Sequence, residues 1–252
     1  MRIGGRDRRK GRAILAAAFL AFAAGRAAAE EPYLGAAVDW NSRYIWRGMT
    51  VHDGAVFQPS VWTSFLGTNL LVWANSPLQA GDGQKGFDEI NFYFQGTSPR
   101  RALVVVTGLN VYTYPRAEDA ERWTAEVAMT FYAPVGPAWL YWENSVDVIS
   151  TPGAYYSEFG IQMGRDVADN LSVEAALAQS YASNDFNDAY LGIAKSAFTY
   201  LTAQVGIEWR IADLLSVTPH MEAVFTLDSD VRREWGAAVR TNFGLTLTLG
   251  YD

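Results

Sequence analysis

Charge in this chain keeps to one side of an alternating pattern. From 123 to 132 one parity reads Trp123, Ala125, Val127, Met129, Phe131, while the single charge, Glu126, sits on the other with Thr124, Ala128, Thr130 and Tyr132. The same rule holds at 201–210, where Leu201, Ala203, Val205, Ile207 and Trp209 alternate with Thr202, Gln204, Gly206, Glu208 and Arg210. At 217–226 the charged parity carries His220 and Glu222, and at 237–248 it carries Arg240. Asp39, Glu89, Glu143, Asp147, Glu158 and Glu174 fall on the polar parity of their own segments. Successive side chains of a strand point to opposite faces, so each segment has one face free of ions between its ends.

Two environments produce such a stripe, the inside of a soluble sandwich and a lipid-facing wall. In a sandwich the opposite face is dense in Lys, Glu and Thr. Here it is rich in Gly, Ala, Ser, Asn and Gln, and the ion-free face carries aromatics near strand ends, as at Trp123 and Phe131. Eight residues at about 3.3 Å span about 26 Å, or about 20 Å of depth after a strand tilt of about 40°. A charge on such a face costs about 2–4 kcal/mol near mid-depth for Arg or Lys and somewhat less for Asp or Glu. The reading is therefore an all-β, transmembrane, antiparallel up-and-down β-barrel.

Twelve segments fit this pattern: 33–46, 56–65, 70–76, 87–97, 102–113, 123–132, 138–148, 155–164, 171–180, 199–210, 215–227 and 235–250. That is roughly 19 residues per strand and connector, in keeping with bilayer-crossing strands. Connectors alternate between compact turns (66–69, 98–101, 133–137, 165–170, 211–214) and mostly longer loops (47–55, 77–86, 114–122, 149–154, 181–198, 228–234). Short turns mark the periplasmic side and long loops the outer side. Residues 189–196 read as a short strand or as part of a long loop folded into the lumen; the even strand count selects the loop.

Residues 1–29 have the three parts of a secretory signal peptide. Arg2, Arg6, Arg8, Arg9, Lys10 and Arg12 precede an apolar run from Ala13 to Ala24, and Ala27-Ala28-Ala29 offers a cleavage site. The apolar run is too short for a membrane-spanning helix. The domain plan is thus 1–29 as leader and 30–252 as barrel, in a bacterial outer membrane. Without the leader, thirteen basic residues face twenty-six acidic ones. An acidic chain of this kind has no basic face for nucleic acid, and with no cysteine it has neither disulfides nor a cysteine-ligated metal.

The run Asn41-Ser42-Arg43-Tyr44-Ile45-Trp46-Arg47-Gly48, followed by Gln58-Pro59-Ser60, resembles the start of the TorF-type porin family, in which a Ser-x-Tyr-x-x-Arg-Gly pattern closes the first strand before a first loop and a Gln-Pro pair. Residues Asn187 to Ile193 with Lys195-Ser196 look like a loop of MltA-interacting-type outer-membrane proteins. Both resemblances imply an outer-membrane barrel, and neither implies a defined substrate. Barrels of this kind usually end in an aromatic residue read by the assembly machinery; here Tyr251 is penultimate.

The lumen carries the functional expectation. Asp39, Glu89, Glu126, Glu143, Asp147, Glu158, Glu174, Glu208 and Glu222 face a small interior with Arg43, Arg210 and Arg240 as the chief cations and His220 among them. Acidic walls favour cations, so the reading is a passive channel for small solutes, leaning to cations. In the competing reading the acids pair with the arginines, and Trp62, Trp73, Tyr93 and Tyr141 fill the interior, giving a non-conducting structural or interaction barrel. A third reading, a lipid-modifying enzyme built on His220 and Glu222, suffers because His220 has lumen parity while acyl chains arrive at the lipid face. His52 and Asp53 read as solvated loop residues, and the acidic tips at 184–188 and 228–230 as soluble loops more than Ca²⁺ sites. No catalytic, cofactor or metal site is expected, and the expected partners are membrane lipid, lipopolysaccharide, the assembly machinery and small solutes.

Overall fold

The computed structural model describes residues 33–65, 67–79, 86–100, 103–118 and 122–251. The expected leader lies outside them. The chain begins with β1 (Tyr33–Asn41), then makes a small separate hairpin of β2 (Tyr44–Trp46) and β3 (Met49–His52). It continues through β4 (Val56–Phe65), β5 (Thr68–Pro77), β6 (Glu89–Arg100), β7 (Leu103–Thr113), β8 (Trp123–Val135), β9 (Ala138–Asp147), β10 (Tyr155–Ala168) and β11 (Leu171–Ala182). After helix α1 (Asn184–Leu191) come β12 (Ala197–Ala212), β13 (Leu215–Thr226), helix α2 (Ser229–Trp235) and β14 (Val239–Tyr251).

Twelve of these strands close into one antiparallel barrel in which β4 to β14 pair in sequence and β1 seals the ring between β14 and β4. The seam runs from Leu34 opposite Tyr251 to Asn41 opposite Gly244. Closure leaves no free sheet edge, the condition for burying backbone in hydrocarbon.

The alternation read from the sequence is the alternation of the wall. Val127, Met129, Phe159, Ile161, Leu177, Ile207, Phe243, Leu245 and Leu247 are all exposed on the outside, Val127 by 54%. Their neighbours Glu126, Gln162, Glu174, Glu208, Asn242 and Thr246 are buried within, Glu126 and Glu174 to 2%. The apolar groups that a soluble protein hides are here the ones left outside.

Connectors at one end are tight, with two residues each at 136–137, 169–170 and 213–214. At the other end two of the connectors carry helices. Ser183 caps α1 by accepting from the Phe186 N–H, and Gly192 ends it in the left-handed conformation. Asp228 caps α2 through the N–H groups of Asp230 and Val231. The segment 189–196, assigned to a loop rather than a short strand, is the end of α1 and its exit.

One boundary differs from the sequence reading. The first strand was expected to run through 46, but it stops at Asn41, and the alternation of Tyr44-Ile45-Trp46 belongs to β2. The reason is the two-residue turn at 47–48, where Arg47 (φ 48°) and Gly48 (φ 80°) both take positive φ, as a tight hairpin with native twist demands. At 235 the reverse happens: Trp235 ends α2, and the last strand begins at Val239.

Candidate functional site: the barrel interior

The β2–β3 hairpin folds inward, and its contacts reach strands all round the ring. Tyr44 packs on Trp73 of β5 with ring centroids 5.5 Å apart, and Trp46 meets Tyr112 of β7 edge-on at 6.0 Å. At the tip, Arg47 places Nη1 2.6 Å from Glu126 Oε1 and Nη2 2.7 Å from Glu126 Oε2, both on β8. Nη2 also donates to Ser145 Oγ of β9 at 2.7 Å. The guanidinium carbon lies 4.3 Å from the Tyr156 ring centre of β10, 4.7 Å from that of Trp46 and 5.5 Å from that of Phe186 in α1.

A bulge in the wall completes the grip. Thr199 and Tyr200 together face Ser180, so both are buried within while Phe198 stays outside. A methyl group on Gly48 would stand 2.3 Å from the Tyr200 ring, so only glycine fits there, for contact as well as for φ. Met49, Tyr156, Phe186, Leu191, Tyr200, Val224 and Val231 then form one buried apolar cluster, joined by Ile45, Trp46, Tyr190 and Trp235. Hairpin and helices thus pack together within the ring, toward the end that carries the long loops.

A belt of amides ties down the legs of the hairpin. Asn242 Nδ2 donates to Asn41 Oδ1 (2.8 Å), Asn41 Nδ2 to Gln58 Oε1 (2.9 Å), Gln58 Nε2 to Asn75 Oδ1 (2.9 Å) and Asn75 Nδ2 to Asp88 Oδ1 (2.8 Å). One leg joins the belt where Ser42 Oγ and the Arg43 N–H both donate to Asn242 Oδ1. The other joins it through His52 Nε2, 2.6 Å from Asp88 Oδ2. His52, expected to be merely solvated, is therefore an anchor.

The expected lumen residues fall into distinct settings. Glu126 carries Arg47 and also accepts from Tyr112 Oη at 2.9 Å. Glu158 accepts from Tyr141 Oη (2.7 Å) and Tyr156 Oη (3.2 Å), and it lies directly opposite Glu143. Asp147, opposite Glu126, accepts from Thr124 Oγ1 (2.6 Å) and the N–H groups of Ile149 (2.8 Å) and Thr151 (3.1 Å), holding the β9–β10 loop. Asp39 accepts from Thr246, Glu89 from Asn91, Glu208 from Ser172 and Glu222 from Gln204. Glu174 is buried opposite Gly164.

The cations correct the expectation. Arg43 turns to Asp53 at 3.2 Å, partly exposed. Arg210 is exposed at the short-turn end, lining a shallow crevice with Asp166, Asp169 and Glu208. Arg240 is buried but binds Thr226 Oγ1 (3.0 Å) and the Trp235 carbonyl (3.4 Å). Arg47, read from sequence as the start of an outer loop, is instead, like Arg240, a buried cation of the interior. Its signal was the Gly48 beside it, which permits a hairpin turn.

His220 Nε2 lies 3.0 Å from Asn41 Oδ1, and Nδ1 lies 3.3 Å from the Thr218 carbonyl and 3.4 Å from Thr246 Oγ1. Gly244 makes room for the imidazole, since a methyl there would stand 2.1 Å from Nε2. These contacts make His220 a branch of the amide belt. The acidic loop tips also have a structural use: Lys195 Nζ bridges Asp228 Oδ2 (2.7 Å) and Asp230 Oδ2 (2.9 Å), tying the exit of α1 to the start of α2.

Solved structures share this architecture. NanC porin superposes with a TM-score of 0.55 at 5% identity, covering 86% of this chain and 98% of its own. A KdgM porin gives 0.53 at 9% identity, covering 86% and 99%, and a KdgM porin in complex with disordered oligogalacturonate gives 0.51 at 8%, covering 87% and 99%. The likeness is one of fold: a closed twelve-stranded barrel of the outer-membrane porin type. No protein-family model matches the chain, and no curated protein matches it.

Proposed function

We propose that this protein is an outer-membrane channel for passive diffusion of small solutes, leaning to cations, with the β2–β3 hairpin as its constriction. In this reading residues 1–29 export the chain, the long loops face outward, and the ion-free outer face meets lipid and lipopolysaccharide after insertion by the assembly machinery. The TorF-type resemblance at residues 41–60 agrees with it. One observation carries the reading: carboxylates line the enclosed side of the wall, where Arg47 sets its guanidinium on Glu126, which lies opposite Asp147, with the opposed pair Glu143 and Glu158 on the neighbouring strands. Surplus negative charge in a low-dielectric enclosure draws cations and repels anions.

The competing reading, a closed structural barrel, is favoured by the same hairpin, whose Met49, Ile45 and Trp46 join a buried apolar cluster inside the ring. Planar-bilayer recordings separate the two. Purified wild type and a variant with residues 44–52 replaced by a short Gly-Ser turn are measured in a salt gradient. The channel reading expects conductance, larger in the shortened variant, with reversal potentials displaced toward the cation. Silence from both proteins, each folded by its heat-modifiable gel mobility, establishes the closed barrel; reversal toward the anion removes the cation preference.

A further inference from the structure

The geometry points to a recognition site for guanidinium and small organic ammonium cations on the β8–β10 wall, which Arg47 occupies as a tethered ligand. This deepens the channel reading and relies on it for the passage of such cations; the site itself stands on its own contacts.

The seat belongs to the wall rather than to the hairpin. Glu126 supplies both carboxylate oxygens to the guanidinium edge at 2.6 and 2.7 Å, and Ser145 Oγ accepts beside them at 2.7 Å. Tyr156 covers the flat face at 4.3 Å, with Phe186 of α1 at 5.5 Å. Tyr112 Oη holds the Glu126 carboxylate in place from β7. A bidentate carboxylate beneath aromatic faces is selective chemistry for a planar, weakly hydrated cation. Glu126, Ser145, Tyr156 and Tyr112 stand on hydrogen-bonded strands, so these parts of the seat do not need the occupant to shape them.

The occupant is poorly suited to its own backbone. Arg47 is the non-glycine residue with positive φ among the described residues. Asn, Asp or Gly at this position would make a better turn, so the side chain, not the turn, accounts for an arginine here. Opposed acids around the seat, Glu126 with Asp147 and Glu143 with Glu158, would destabilise the wall without a cation between them. A free cation of matching shape can do for the wall what Arg47 does.

The test uses Arg47→Asn, which vacates the seat while keeping a residue at ease with positive φ, and Arg47→Ala as a second variant should the first lose its heat-modifiable folded form. Methylguanidinium chloride is the probe, and urea is its neutral, near-isosteric control. In nanodiscs, calorimetry should find millimolar or tighter methylguanidinium binding to the Asn variant, none of comparable strength to wild type, no urea response, and loss of at least tenfold in affinity when Glu126→Gln is added. In planar bilayers the Asn variant should conduct several-fold more than wild type, and methylguanidinium should return it toward the wild-type level. A folded variant that fails to bind the probe, or that binds it equally with Glu126→Gln, overturns the site. Binding without conductance in any variant keeps the site and rejects the channel; conductance without binding does the reverse.

Discussion

The smallest unit with a consequence is the amide belt from Asn242 through Asn41, Gln58 and Asn75 to Asp88. Each amide gives on one side and takes on the other, so replacing one leaves both neighbours with buried, unmatched groups. Gln58→Leu should cost about 1–3 kcal/mol, read as a lower urea midpoint for unfolding from lipid vesicles. His52→Ala, at the end of the belt, should change the midpoint less but speed hydrogen exchange across 44–52, because it frees one leg of the hairpin without opening the wall. Nothing in the linear order announces the belt. Asn41, Gln58, Asn75 and Asn242 are scattered over the chain, and only strand register brings them to one level.

At the scale of elements, the α1 and α2 loops are locked by Lys195 on Asp228 and Asp230. Burial pushes the Asp228 carboxyl up, but the hydrogen bonds from Lys195 and the α2 N–H groups outweigh it and hold it below its usual 3.8. The same two aspartates raise the Lys195 ammonium above its usual 10.5. The lowered carboxyl contributes fully above 3.8 and is lost as pH falls through its folded value. The raised ammonium contributes fully below 10.5 and is lost as pH rises through its folded value. Hydrogen exchange in 228–235 should therefore have a pH-independent opening term between about pH 5 and about pH 9 and a larger one in acid below both values; Lys195→Met should weaken that acid dependence and leave the part set by the α2 N–H groups. Helix content here escaped the sequence reading because α1 and α2 are eight and seven residues long, too short for a 3.6-residue period to stand out. The hairpin escaped it for a different reason: β2 continues the alternation of β1, and a period of two is blind to a change of sheet.

For the whole molecule, stability depends on which face meets hydrocarbon. Val127→Arg, on the outer face at 54% exposure, should lower the folding free energy in lipid by about 2–4 kcal/mol, seen as a reduced folded fraction in bilayers. Thr130→Arg, three residues along the same strand but buried on the inner parity, should lose less, since its charge meets the lumen carboxylates. Equal losses from the two would remove the basis for assigning lipid to the outer face.

The amino-acid order by itself determined the strand count, the closed barrel and the side of the wall on which the carboxylates stand, because each of these follows from a two-residue period and from punctuation between strands. Only the tertiary structure decided what occupies the enclosure. Whether Arg47 points into water or onto Glu126 depends on a turn that reverses the chain into the ring and on residues 79 to 139 positions away, and no local period encodes a contact made across a closed cylinder.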